Sequence, residues 1–349
     1  MLIENLVKDY DTFYKIFTRL SGMKIVTGAE GFIGSNLVAG LEAAGEDIAI
    51  CDTFHDPSKR YNLSKRDIRN TIRSEELFNF LSDHTKNIET IFLLGAISST
   101  TETNTKLLEK INVDLPKKIW AWCKNNHVKL IYASSAATYG DGSRGFDDNL
   151  SLADLKKLQP LNAYAQSKHE FDLFISSDQL DHNDSSAQWA GLKFFNVYGP
   201  NEYHKKSQMS VIPQFFNQII TTGKASLFRS HNSKYSDGGQ LRDFIWVEDC
   251  VRVMMWFDKN LSSSGLYNCG TGNARSFLDL AKLVFSAMDK EENIEYIPTP
   301  EAIRDKYQYF TQANMDKLKS LGYDMNFTTL ENGVTQYVRD YLMGDDQFL

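Results

Sequence analysis

The sequence predicts an α/β fold: a doubly wound parallel sheet with a smaller, mostly C-terminal lobe. Three observations predict it. Short apolar runs alternate with longer amphipathic stretches from Lys24 to Asn196, the pattern of parallel strands joined by crossover helices. A glycine-rich turn, Gly28-Ala-Glu-Gly31-Phe-Ile-Gly34, separates the first apolar run from the first helical stretch. After about Tyr198 the alternation loses its regularity, which marks a second lobe.

Residues 1–22 form an N-terminal extension. Leu2, Leu6, Tyr10, Phe13, Phe17 and Leu20 recur at helical spacing before Ser21-Gly22. That predicts a helix, either docking a partner or lying on the surface. Met23-Lys-Ile-Val-Thr-Gly also reads as a beginning, which favours the surface helix. Residues 23–197 make the sheet domain. Its expected strands are Ile25-Val26, Asp47 to Asp52, Ile91 to Leu94, Leu130 to Ala133 and Leu192 to Asn196, with a helix from Phe32 to Ala44.

Residues 198–349 mainly form the second lobe, with 243–260 expected to pack back onto the sheet domain. Asp243 to Val247 and Leu266 to Gly270 are strand-like, and Phe277 to Met288 and Met315 to Leu321 are helical. The polar stretch Ser230 to Gln240, with Gly238-Gly239, is expected to be a mobile loop.

Composition narrows the function. With 42% hydrophobic and 24% charged residues, the chain is of an ordinary globular kind. A net charge of −7 argues against nucleic acid as a partner. No run approaches the roughly 20 apolar residues that span a bilayer, and no secretory signal opens the chain. A cytoplasmic protein with no membrane partner is therefore expected. The four cysteines lack a C-x-x-C pair and the seven histidines lack ligand spacing, so no metal is expected.

The glycine turn carries a dinucleotide expectation, and with it a Rossmann-like sheet. Gly28, Gly31 and Gly34 allow a tight turn and close backbone approach, while the helix N-terminus favours a pyrophosphate. Asp52 ends the second strand, 24 residues beyond Gly28, near the spacing of a ribose contact. Glu30 would repel a pyrophosphate, so it is expected to face water. Lys59, Arg60, Lys65, Arg66, Arg69 and Arg73 form a basic cluster. It suits a 2′-phosphate, and so NADP over NAD; the alternative is a solvated, salt-bridged face.

Ser135, Tyr164 and Lys168 carry the chemistry. Tyr164 and Lys168 are four apart and share a helix face. An ammonium beside a phenol is expected to pull its pKa below the usual value of about 10. The phenolate then takes a proton from a substrate alcohol while Ser135 orients the same oxygen.

These residues resemble the extended short-chain dehydrogenase/reductase family. Within it the resemblance, from about Met23 to near the C-terminus, is to the sugar-nucleotide epimerases that invert C-6 of an ADP-heptose. The segments that carry it are Gly95-Ala-Ile-Ser-Ser-Thr-Thr-Glu102, Ser134-Ser-Ala-Ala-Thr-Tyr-Gly140, Pro160-Leu-Asn-Ala-Tyr164, Phe195-Asn-Val-Tyr-Gly-Pro200, His204-Lys205, Leu241-Arg-Asp-Phe244 and Tyr307-Gln-Tyr-Phe-Thr-Gln312. It implies one tightly held NADP per subunit, an ADP-D-glycero-β-D-manno-heptose substrate, a place in lipopolysaccharide inner-core synthesis, and a homo-oligomer, pentameric by analogy.

The resemblance also assigns residues. Tyr164 and Lys205 become the two acid/base groups, on opposite sides of the sugar carbon, with Lys168 and Ser135 in support. Lys205 is expected to spend part of the cycle neutral, lowered by burial beside other cations; the plain alternative for His204-Lys205-Lys206 is a solvated loop. Beside Gly28, Gly31, Gly34, Asp52 and Lys59, the cofactor would touch Phe32, Ile33, Thr53, Leu94, Gly95, Ala96, Ile97, Ser98, Asn112, Lys168, Val197 and Lys205. Ser99, Ser135, Asn196, Ser207, Phe228, Arg242 and Tyr307 would meet the substrate. The Arg229–Leu241 loop and Gln214, where a histidine is expected, depart from that branch.

Three rivals share parts of this pattern. A UDP-hexose 4-epimerase needs no second base. A 4,6-dehydratase places an acidic pair where Ala136-Ala137 stand, which counts against it. An NADP-sensing regulator needs neither Tyr164 nor Lys168.

Overall fold

The computed structural model describes residues 22–181, 187–304 and 308–349. The expected N-terminal helix and Tyr307 fall outside the described residues. Six strands, β1 (Met23–Thr27), β2 (Ile48–Asp52), β3 (Asn70–Arg73), β4 (Ile88–Leu93), β5 (Lys129–Ser135) and β6 (Trp189–Phe194), join a later one in a single parallel sheet. After β6 come β7 (Asn196–Tyr198), β8 (Ala225–Phe228), β9 (Leu241–Trp246) and β10 (Gly265–Cys269), and then two short strands named below. The sheet order is β10-β6-β5-β4-β1-β2-β3. Every residue of β1, β2 and β6 is buried, the signature of strands covered on both faces.

Helices α1 (Phe32–Ala43), α2 (Leu115–Asn126), α3 (Ala163–Asp181), α4 (Val211–Thr222), α5 (Val247–Asn260) and α6 (Phe277–Ala287) complete the main framework. On the sheet, α1 packs against α5 and α2 against α3. Gly40 sets the first contact, because a Cβ there would lie 2.6 Å from Val251 Cγ1. Asp178 on α3 sets the second, accepting from Trp120 Nε1 and Lys124 Nζ of α2, both at 2.8 Å.

β3 was missed by the sequence reading because only Ile72 of its four residues is buried. β10 lies parallel beside β6 at the sheet edge, with Tyr267 opposite Leu192. Residues beyond Tyr198 also build a second core, in which Phe215, Phe216 and Ile219 of α4 meet Phe244, Trp246, Leu280, Val284 and Tyr337. There β9 pairs with β7 and with β11 (Ala274–Ser276), while β8 pairs with β12 (Ile294–Ile297).

The Ser230–Gln240 stretch is irregular, yet it is pinned rather than loose. Ser230 N donates to Asp237 at 2.7 Å, Gly238 N to Phe228 O at 3.0 Å, and Tyr235 and His231 pack on Tyr309. Among the described residues no helix is long and apolar enough to cross a membrane.

Candidate active site

The strand order reverses between β1 and β4, and a ligand crevice is expected beyond the strand ends at such a point. The loops leaving these two strands touch. Gly28 has φ +68°, and a Cβ there would sit 2.5 Å from Gly95 N. At Gly34 a Cβ would meet Gly28 O at 2.1 Å. Gly31 caps α1 with no side-chain bond to the first amides, so the helix N-terminus is open to an anion. Phe32 is buried and Ile33 half-buried directly behind it. This backbone cradle fits a dinucleotide pyrophosphate.

Asp52 is buried, and its carboxylate accepts from Glu30 N at 3.0 Å and from the N–H of exposed Thr53 at 2.7 Å. The expectation for Glu30 is corrected. Its side chain is only 6% exposed and Oε2 has no hydrogen-bond partner. Burial and the neighbouring Asp52 push its carboxyl pKa up, while Lys59 opposes them. The basic cluster disperses: Arg66 pairs with Glu42 and Lys65 with Asp346, both at 2.8 Å. Lys59 is the member that acts on Glu30 and on His204.

Beyond β4, Leu94, Gly95, Ala96 and Ile97 are half-buried and Ser98 is exposed. Asn112 holds this loop instead of reaching out from it. Its Oδ1 accepts from Ile97 N at 2.9 Å, and Nδ2 donates to Ile97 O and Ser167 Oγ, both at 3.0 Å. Asn112 therefore shapes the cradle through Ile97.

α3 carries Tyr164 and Lys168 on one face. Ser135, at the end of β5, accepts from Ala137 N at 3.2 Å, and its hydroxyl lies near enough to the Tyr164 phenol to pull its pKa down. The phenol pKa lies above its ordinary value, contrary to expectation. Burial raises it most and Asp172 adds to that, against the Ser135 hydrogen bond. Lys168 is lowered to about 8 by burial, with Asp172 opposing.

Lys205 sits in a 3-10 segment, Tyr203–Gln208, with its ammonium 5.3 Å from the Phe32 ring centroid. Burial pulls its pKa down and Glu202 pulls the other way, so desolvation supplies the lowering that was ascribed partly to cations. His204 is lowered to about 4 by burial, Lys59 and Lys205. Asn62 ties the region together, donating to Glu30 O at 2.8 Å and Asn201 O at 3.1 Å. Gln208 donates to Ser99 Oγ at 2.7 Å, which joins the Lys205 segment to the loop beyond β4.

Asn196 and Ser207 are exposed and Val197 half-buried. Arg242 is 9% exposed and spends donors on Leu241 O at 2.9 Å and on Gln308 O. Gln308 in turn donates to Gly140 O at 2.9 Å, so this strand reaches the Ser135 motif. Phe228 ends β8 in the second lobe.

Sequence reasoning missed Gln208, Glu202, Asp172 and Lys193. Only Asp172 had a legible signal, four residues past Lys168 on the same helix face.

A family model described as the NAD dependent epimerase/dehydratase family matches residues 24–270. The ADP-L-glycero-D-manno-heptose-6-epimerase of Nitratidesulfovibrio vulgaris (strain DP4) is 45% identical over 331 residues, 94% of this chain and 100% of that one. The chain belongs to this epimerase family. The enzyme of the same name from Fusobacterium nucleatum is 41% identical over 336 residues, again 94% and 100%. A crystal structure of the Helicobacter pylori ADP-L-glycero-D-manno-heptose-6-epimerase superposes with TM-score 0.75 at 26% identity, covering 93% of this chain and 97% of that one. The Thermus thermophilus UDP-glucose 4-epimerase in complex with NAD shares the fold, with TM-score 0.71 at 21% identity. The chain is thus an isomerase of the Rossmann-like, nicotinamide-dinucleotide-dependent kind.

Proposed function

We propose that this epimerase inverts C-6 of the heptose in ADP-D-glycero-β-D-manno-heptose, a step toward the lipopolysaccharide inner core. The names of its relatives support the substrate. The observation that carries the two-sided chemistry is the Gln208–Ser99 bond, which draws the Lys205 segment to the loop beside the cradle. When bound, a nicotinamide dinucleotide supplies a reversible hydride acceptor.

The chain's own residues handle the proton. Burial favours the uncharged form of each group, a phenol at Tyr164 and an amine at Lys205. Over one cycle, one group takes the proton from the C-6 oxygen as hydride leaves and the other returns a proton as hydride comes back, on opposite sides. Ser135 orients the phenol, and the Lys168 ammonium stabilises it when it gives up its proton.

NADP is the proposed cofactor, with Lys59 as the cation for a 2′-phosphate. A second reading, NAD, is favoured by the buried carboxylates of Glu30 and Asp52, which repel a phosphate and suit a ribose hydroxyl. Measuring both dissociation constants on the purified apoprotein decides between them. The substrate is tested by incubating the enzyme with ADP-heptose or UDP-hexoses; conversion of UDP-hexoses alone overturns the reading.

A further inference from the structure

Beneath the relay lies a buried ion pair with no part in the chemistry described above. Asp172 follows Tyr164 and Lys168 at successive four-residue steps along α3. Its Oδ2 accepts from Lys193 Nζ and Ser134 Oγ, and its Oδ1 from Tyr132 OH, all at 2.7 Å. Neither Asp172 nor Lys193 has any side-chain exposure. Lys193 also donates to Thr138 Oγ1 at 2.6 Å, and Thr138 Oγ1 donates to Ser135 O at 2.7 Å. The pair thus touches β5, β6, α3 and the turn after Ser135.

Apolar residues would commonly fill such a space at equal or lower cost, because a buried ion pair gains little over its desolvation. Its position suggests what it does instead. Two lysines, 168 and 193, share one carboxylate, and the short contact goes to Lys193. Asp172 is thereby committed away from Lys168.

We infer that Lys193 occupies Asp172 so that the Lys168 ammonium stays available to the Tyr164 phenolate. Lys193 and Asp172 are positioning residues whose opposite charges cancel, which leaves the charge under the phenol to Lys168 alone. The other titratable groups facing this cluster are His169 on α3, Tyr132 on β5 and Tyr139 in the turn. From further out, Asp148 acts on Tyr139, and Lys317 in turn feels Lys193. The inference rests on the relay assigned to Tyr164, so its test avoids turnover.

The test is the titration of Tyr164, read as the ultraviolet difference between each protein and its Tyr164→Phe counterpart. Lys193→Met removes one positive charge and frees Asp172 for Lys168, so the phenol midpoint should move up. Asp172→Asn removes the negative charge and should move it down. The double variant removes both opposite charges together and should return the midpoint to that of the parent, which also guards against a single variant that folds poorly. Opposite shifts that cancel in the double support the inference. Midpoints that do not move, or move in the same direction in both singles, overturn it. Failure of the parent enzyme to epimerise ADP-heptose would sink the proposed function without touching this result.

Discussion

Gln208 donates its amide proton to the hydroxyl of Ser99 at 2.7 Å, across 109 residues of chain. Ser99 follows β4 and Gln208 closes the segment that holds Lys205, so this amide, which also reaches Thr101 Oγ1 at 3.4 Å, joins the two walls of the crevice. Lys206 next to it has φ +52°, an uncommon left-handed setting for a residue with a side chain. The segment is therefore held in place by its contacts.

Gln208→Ala should lower turnover about five- to tenfold, the worth of roughly 1 kcal/mol for one hydrogen bond. Cofactor affinity should stay unchanged in a direct binding titration. Equal loss in both measurements would mean that the bond serves the cradle instead.

Tyr164→Phe and Lys205→Met should each cost about a hundredfold to ten-thousandfold in turnover, the usual size of a lost general acid or base. Both should still bind NADP. Near-full activity in Lys205→Met would remove the second base from the mechanism.

Lys168 links the relay to stability. Its folded pKa of about 8 lies below the ordinary 10.5, so between those values the unfolded chain binds more protons at this position than the folded one. Stability from this group therefore rises with pH through that window, and at pH 7 the buried ammonium destabilises the fold. Lys168→Met should be inactive yet more resistant to denaturant at pH 7, by up to about 3 kcal/mol. The advantage should vanish above the ordinary lysine range. Denaturant melts at both pH values check it.

Glu30→Gln should tighten NADP relative to NAD by roughly tenfold, the effect of one partly screened charge. Because burial and Asp52 raise the Glu30 pKa, the parent's relative preference for NADP should grow as pH falls through that raised value. The variant should lose that part of the pH dependence. Paired binding titrations at several pH values give the answer.

Much of this was legible in the sequence, and the exceptions have physical causes. β1 and β2 could be read from their apolar runs, since both their faces are covered, whereas the run Leu192 to Asn196 takes in only the end of β6 and crosses into β7. β3 could not, having a single buried side chain. The glycine loop and the Ser135, Tyr164 and Lys168 spacing announced the crevice, since local geometry demands those residue types. Charge states were not legible. The Glu30 and Tyr164 pKa values are raised chiefly by burial, with Asp52 and Asp172 adding to it, and burial is set by elements far away in the chain. Gln208 carries no pattern at all; its partner is known only once the chain is folded.

The central claim is a phenol and an amine serving one sugar carbon from opposite sides. Nuclear magnetic resonance of ADP-D-glycero-β-D-manno-heptose incubated with the holoenzyme tests it most directly, with the absorbance of reduced cofactor followed in the same tube. The account predicts an equilibrating mixture of the two C-6 epimers and no net accumulation of reduced cofactor. An unchanged heptose, or steady build-up of reduced cofactor with a released keto sugar, would contradict it.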